Sequence, residues 1–360
     1  MKNLFLAHTP YHVLLSCGIA LDETYKAESQ LVIVKDFFYA DMIYYSLKSC
    51  SNSPFSQIFL LPGIYDKNNS VLQHIVKIVN AKKIYKIIAN NCFDNAFVFN
   101  DRRPEGQSCL YAVKKNNKLA RGIYVEDGIN VYASYVLNKH SFISEIMAKV
   151  LLGSWWDNVT VLGSSKYVDE VRAVFPEFVR NELRSKHVIQ ISKKSFLSIK
   201  EFDFFDIYLR SCNTCASDFK GIDAIFIVSH SSNIKNKRFY FENLKKAIDV
   251  VLSKRLRVAV KYHPRELVDD VLSLSKEVLI LPKFIPIEMI FMIIPDEIKV
   301  VVGDLTTSVL TAKWLLNNAK VYSLAPLFYY NDIKIFQMFD CIGVKKIENM
   351  EDFLIEISYI

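Results

Sequence analysis

The chain has 360 residues, 51% of them hydrophobic and 23% charged, which excludes a disordered chain and leaves room for two domains with separate cores. Lys and Arg number 45 against 38 Asp and Glu. That excess favours an anionic partner such as a nucleotide, an acidic polysaccharide or a membrane surface, and it says nothing about fold.

In chain order, the first half alternates short apolar runs with helical patterns. "NLFLAH" (3–8), "LVIVKD" (31–36), "QIFLLPG" (57–63), "AFVFND" (96–101), "GIYVED" (122–127) and "VTVLGS" (159–164) read as strands buried on both faces, as a parallel sheet requires. Between them "PYHVLLSCGIAL" (10–21), "VLQHIVKIVNAKKIYKII" (71–88) and "SFISEIMAKVLLGSW" (141–155) read as helices, with Pro10 in a first turn where its missing N–H costs nothing. The pattern weakens near 182, and 186–221 reads as a basic, serine-containing connector. A second series follows: strands at 224–230, 257–263, 278–283, 298–304 and 320–326, and helices at 240–254, around Glu288, at 307–318 and at the C-terminus. Repeated strand-then-helix units predict an α/β chain of two doubly wound domains, 1–185 and 222–360, facing each other across a cleft.

Seven cysteines, odd in number and irregular in spacing, together with the lack of a signal peptide, predict a reducing, cytoplasmic setting. "SCNTC" (211–215) is a lone CxxC without the second pair a metal site needs. No apolar run reaches the roughly 18–20 residues of a membrane span. "FIPIEMIFMIIPD" (284–296) carries Glu288 between two prolines and reads as a buried helix.

Ligands of doubly wound sheets sit beyond the carboxyl ends of the strands, and there the sequence is polar: "AHTPYH", "VEDG", "VSHSSN", "KYHPRE" and "GDLTTS". His263, ending a strand before Pro264 and flanked by Lys261 and Arg265, is placed either to meet a phosphate or to cap a following helix. Thr306, Thr307 and Ser308 open a helix, where hydroxyls and free N–H groups bind anions or supply an N-cap. Glu288 starts an apolar helix and needs a partner, a ribose hydroxyl or the helix dipole. Glu126 and Asp127 precede Gly128, whose freedom allows a sharp turn. One of the two can deprotonate an acceptor hydroxyl while the other orients it. A metal-binding pair is the weaker reading, because no further ligand cluster accompanies the adjacent acids. His8 and His12 end the first strand, as sugar contacts or as structural groups; the "WWDN" pair (155–158) reads as core.

These blocks resemble the bacterial sialyltransferases, which share an acid-acid-Gly motif, a His-Pro motif and a paired Ser/Thr motif in that order; here they are "EDG" (126–128), "HP" (263–264) and "TTS" (306–308). The resemblance is nearest to polysialyltransferases and lipooligosaccharide sialyltransferases. It implies a GT-B fold, a CMP-sialic acid donor, inversion at the anomeric carbon, and no cofactor or metal. In that reading Glu126 is the base with Asp127 as its partner, and His263 assists departure of CMP. Thr306, Thr307 and Ser308 bind its phosphate, Glu288 holds the ribose, and Ser229, His230 and Ser231 border the nucleotide. Some lipooligosaccharide enzymes carry a base aspartate in that last loop; this chain has His230, Ser231 and Ser232 there, leaving the acid pair or His230 to serve.

The leading expectation is therefore transfer of sialic acid to an oligosaccharide acceptor of a bacterial capsule or lipooligosaccharide. No nucleic-acid partner is expected, and the Lys-rich runs fit peripheral attachment to an anionic membrane or a solvated helix face. The alternatives are another donor on the same fold, CMP-Kdo or a UDP-sugar, and a non-catalytic glycan- or nucleotide-binding subunit.

Overall fold

The computed structural model describes residues 1–360 apart from 23–26, 66–68 and 140, and the chain divides into two compact units, Met1–Tyr208 and Leu209–Ile360. In the first unit the elements run β1 (Lys2–Ala7), α1 (Pro10–Ala20), β2 (Glu28–Val34), α2 (Ala40–Ser49), β3 (Gln57–Leu61), α3 (Ser70–Ala89), β4 (Asn95–Val98), α4 (Pro104–Asn116), β5 (Arg121–Val125), α5 (Phe142–Leu152), β6 (Glu170–Ala173), β7 (His187–Gln190) and α6 (Lys193–Leu197), with α7 (Phe204–Ser211) crossing into the second. Among the described residues the strands pair in the order β3-β2-β1-β4-β5-β6-β7, every pair parallel. β1, β2, β4 and β5 are enclosed nearly throughout, which is why they carry continuous rather than alternating apolar residues.

The second unit holds β8 (Ala224–Val228), α8 (Lys237–Leu252), β9 (Val258–Tyr262), β10 (Leu279–Ile280), α9 (Ile287–Ile293), β11 (Val300–Gly303), α10 (Thr307–Leu315), β12 (Lys320–Ser323), α11 (Ile333–Ile342), β13 (Val344–Lys346) and α12 (Met350–Ser358). Its described strands pair in the order β10-β9-β8-β11-β12-β13, again all parallel. Phe226, Val260 and Val302 of the central strands are fully buried, in one core with Leu244 and Ile248 of α8 and with Phe353 of α12.

Two expectations change. The run at 159–164 is not a strand: it turns, and the backbone N–H groups of Gly163 and Ser165 each donate to the Asp101 carboxylate at 2.8 Å. The strand beside β5 is β6, "EVRA", which looks polar in sequence. Its Glu170 and Arg172 are both buried because they satisfy each other, Arg172 Nε donating to Glu170 Oε1 at 2.6 Å. Nor is 186–221 a plain connector. His187–Gln190 forms the outer strand β7, its two end residues exposed, and Phe196 of α6 is fully buried against Gly18 of α1, where an added Cβ would lie 2.9 Å from the Phe196 Cα. Phe196→Ala should therefore cost about 3–5 kcal/mol of stability, read from urea unfolding of the whole chain. A cost near zero would show that α6 is only a tether.

Candidate active site

In the first sheet β1 lies between β2 and β4, so the connections leaving β1 and β4 diverge and open a crevice at their carboxyl ends. Thr9 caps α1 there, its hydroxyl accepting from the His12 N–H at 3.2 Å, and this sets Tyr11 and His12 in the first turn beside the end of β5. Tyr11 Oη donates to Glu126 Oε1 at 2.9 Å. Tyr132 Oη and the Val174 N–H, the latter at 2.8 Å, both donate to Glu126 Oε2. Glu126 is 2% exposed. Burial lifts its carboxyl to about 7, against the downward pull of the Tyr132, Val174 and Tyr11 hydrogen bonds, and the neighbouring Asp127 adds to the rise.

Asp127 has the opposite surroundings. Its side chain is 26% exposed, and Oδ1 lies 2.7 Å from His12 Nε2. The His8 N–H donates to His12 Nδ1 at 3.2 Å, so the ring proton is on Nε2 and points at Asp127. Phe99 stacks on the same imidazole, ring centres 4.1 Å apart. Gly128 adopts φ +65°, the left-handed conformation that glycine favours. Successive residues leaving a strand face opposite ways, so the two acids do not share a surface. Glu126 is thus the enclosed member of the pair, and Asp127 is the one solvent reaches.

Further along the same edge, His8 Nδ1 lies 3.1 Å from Asp36 Oδ2, and Arg103 pairs with that carboxylate from the start of α4. Burial, reinforced by the Arg103 charge, holds His8 down at about 4. His8 is thus a neutral buried brace for the loops after β1 and β2.

In the second sheet β8 lies between β9 and β11, and the sequence motifs gather at those three carboxyl ends. The His230 and His263 rings meet edge to face with centres 5.2 Å apart. His230 Nδ1 contacts Ser232 Oγ at 2.5 Å, while Glu266 accepts from the Ser231 N–H and hydroxyl. After Tyr262 the chain turns through Pro264 instead of entering a helix, so His263 caps none. Its Nδ1 accepts from the Arg265 N–H at 3.1 Å, which leaves Nε2–H as a donor. Burial, with the Arg265 and His230 charges, lowers His263 to about 4.

Thr306 stands at the N-cap of α10 but its hydroxyl makes no capping bond, and Thr306 Oγ1 is buried without a protein partner; Thr307 and Ser308 follow in the first turn. Asp304, which the sequence reading left without a role, is buried just ahead and accepts from Tyr240 Oη at 3.1 Å. Lys261 and Glu288 are enclosed rather than set on this rim. Lys261 Nζ donates to the Pro282 carbonyl at 2.6 Å, and burial lowers it to about 7, opposed by the Glu288 charge. Burial raises Glu288, opposed by Lys261, and the Thr311 hydroxyl lies 3.5 Å from its Oε1. Among the described residues no group of three or more His, Cys, Asp or Glu side chains could hold a metal ion.

Residues 3–325 match the family described as Alpha-2,8-polysialyltransferase (POLYST). The chain belongs to the alpha-2,8-polysialyltransferase family. Membership makes it a glycosyltransferase of the sialyltransferase class. No curated protein matches it, but solved structures do. One is the UDP-GlcNAc 2-epimerase of Methanocaldococcus jannaschii, with TM-score 0.58 at 13% identity, covering 100% of this chain and 92% of that one. Another is an alpha/beta-galactoside alpha-2,3-sialyltransferase from the luminous marine bacterium Photobacterium phosphoreum, with TM-score 0.57 at 12% identity, covering 96% and 98%. At such identities the likeness is one of fold, the two parallel-sheet domains of GT-B glycosyltransferases.

In this polysialyltransferase-family member the residues that sequence reading missed are the aromatic hydroxyls, Tyr11 and Tyr132 around Glu126 and Tyr240 on Asp304. Only the "PYH" placement at a strand end hinted at them. The raised Glu126 carboxyl has a measurable consequence. From pH 4.5 to about 7 the folded chain keeps a proton that the unfolded chain has released, so stability from this group is present below that window and is lost as pH rises through it. Subtracting the stability–pH curve of Glu126→Gln from that of the wild type should leave a fall on the order of 3 kcal/mol across the window. A flat difference would mean that Glu126 is ionised throughout.

Proposed function

We propose that the chain transfers sialic acid from CMP-sialic acid to a glycan acceptor of a bacterial capsule or lipooligosaccharide, with inversion and without a metal ion. The observation that supports this most is the pairing of Asp127 with His12 over an enclosed Glu126. It supplies a solvent-reachable carboxylate held in one orientation, which is what removal of a proton from an acceptor hydroxyl requires.

In this reading the acceptor oxygen attacks the anomeric carbon as its proton passes to Asp127. The bond from that carbon to the phosphate oxygen breaks, and its electron pair leaves with CMP. In the second unit, groups suited to a departing phosphate charge stand at the strand ends. His263 offers Nε2–H, and a neutral imidazole can donate that hydrogen bond without first losing a proton to solvent. The unpartnered Thr306 hydroxyl, with Thr307, Ser308 and the N-terminal end of α10, takes phosphate oxygens. Ser229, His230 and Ser231 border the nucleotide. Lys261 and Glu288, being enclosed, hold this rim from behind instead of touching the ribose directly.

The test is incubation of the whole chain with CMP-sialic acid and lactose, N-acetyllactosamine or oligosialic acid, with product masses read out. The expected result is a sialylated product from at least one acceptor, unchanged by a metal chelator. Absence of both transfer and slow donor hydrolysis would sink the proposal. The donor is checked separately by thermal shift. CMP at about a hundredfold over its dissociation constant should add about 2.7 kcal/mol of stability; stabilisation by UDP and not by CMP would move the reading to a UDP-sugar.

A further inference from the structure

The first unit carries a surface that the transfer chemistry does not use. None of the residues of α5 is buried, although the helix reads "FISEIMAKVLL". Phe142, Ile143 and Val150 are each about three-quarters exposed, at 77%, 74% and 74%. Glu145, the only acid on α5, is neutralised by Lys149 one turn on, at 2.6 Å. The same unit exposes Leu72, Ile75 and Val79 on α3. At three- and four-residue spacing these continue into Lys82, Lys83 and Lys86, so one face of α3 is apolar in its first half and cationic in its second.

The two helices are in contact and border one hollow. Lys82 and Tyr85 of α3, Lys115 of α4, and Leu151, Leu152 and Trp155 at the end of α5 line one open hollow of about 260 Å³. Trp155 stacks on Tyr111 with ring centres 5.5 Å apart, and the Lys115 ammonium lies 5.5 Å from the centre of the Tyr85 ring. Apolar side chains standing clear, aromatic rings at their edge and lysines beyond form the arrangement of a helix lying in a membrane interface. Among the described residues no helix is long and apolar enough to cross a membrane.

We propose that the α3–α5 face docks on an anionic lipid surface. A second copy of the chain fits it less well. α3 carries four lysines and no acid, so the same helix of a second copy would offer those charges no countercharge. Lipid headgroups of negative charge instead complement the lysines while the acyl boundary takes Ile143 and Val150. The inference stands apart from the sugar-transfer reading, since none of these residues touches the acid or His-Pro motifs.

The experiment is flotation of the full chain with vesicles of phosphatidylcholine alone or with about one-third phosphatidylglycerol. The chain should float with the anionic vesicles, not with the neutral ones, and less well as salt rises. Ile143→Glu/Val150→Glu and, separately, Lys82→Glu/Lys83→Glu should each cut the bound fraction about tenfold or more. Melting temperature should not move, because these side chains are all exposed. The proposal is overturned if the chain floats with neither vesicle or equally with both, or if either variant binds like the wild type. It is also overturned if the wild type is a dimer in solution that Ile143→Glu/Val150→Glu splits, which would assign the face to a second copy.

Discussion

A carboxyl group with almost no exposure to water must be hydrogen-bonded, neutral, or both, and Glu126 organises the first unit around that demand. Its partners come from three places in the chain: Tyr11 from the first turn of α1, Tyr132 from the turn after β5, and the Val174 N–H from just beyond β6. Meeting the demand therefore fixes the positions of three segments that the sheet alone leaves free to vary. Asp127 inherits the result. Its neighbour is immobilised, Gly128 turns the chain away, and His12, held by its own helix, gives the exposed carboxylate one preferred orientation. The groups that hold Glu126 are neutral phenols and a backbone amide, so none of its hydrogen-bond partners carries a full charge.

The second unit reaches a comparable end by other means. There the neutral donors near the motifs are the imidazole N–H of His263 and the buried threonine hydroxyl of Thr306, which has no protein partner. Lys261, Glu288 and Asp304 are buried, and burial pushes each toward its neutral form. Neutral donors suit the proposed departure of an anion in each cycle, because a permanent ion pair there would have to be broken for every turnover.

Most strands buried on both faces were legible in the sequence because runs such as "LVIVKD" are continuously apolar up to their polar ends, though "VTVLGS" shows that such a run can also turn, and the motif blocks were legible because every one follows such a run. What stayed hidden has specific causes. "EVRA" conceals a strand because an internal Glu170–Arg172 pair lets two charges be buried, and "HVIQ" conceals another because an outer strand need not be apolar at its ends. The roles of Glu126 and Asp127 could not be separated from spacing, since adjacent acids look alike until the hydroxyls that enclose one of them are located, and Tyr11 and Tyr132 carry no motif. Lys261 was expected beside the nucleotide because it neighbours His263. Strand alternation turns it inward instead, to the Pro282 carbonyl.

The central claim is that one acid of the pair takes the proton while the other only holds it in place. Rates of sialyl transfer by Glu126→Gln and Asp127→Asn, each measured with saturating donor and acceptor, test it most directly. Asp127→Asn should lower kcat by about 10²- to 10⁴-fold, the range of a lost general base. Glu126→Gln, which keeps an oxygen for the Val174 N–H and nearly the same shape, should stay within about tenfold of the wild type. The reverse order, with Glu126→Gln inactive though folded and Asp127→Asn nearly unimpaired, would contradict the account.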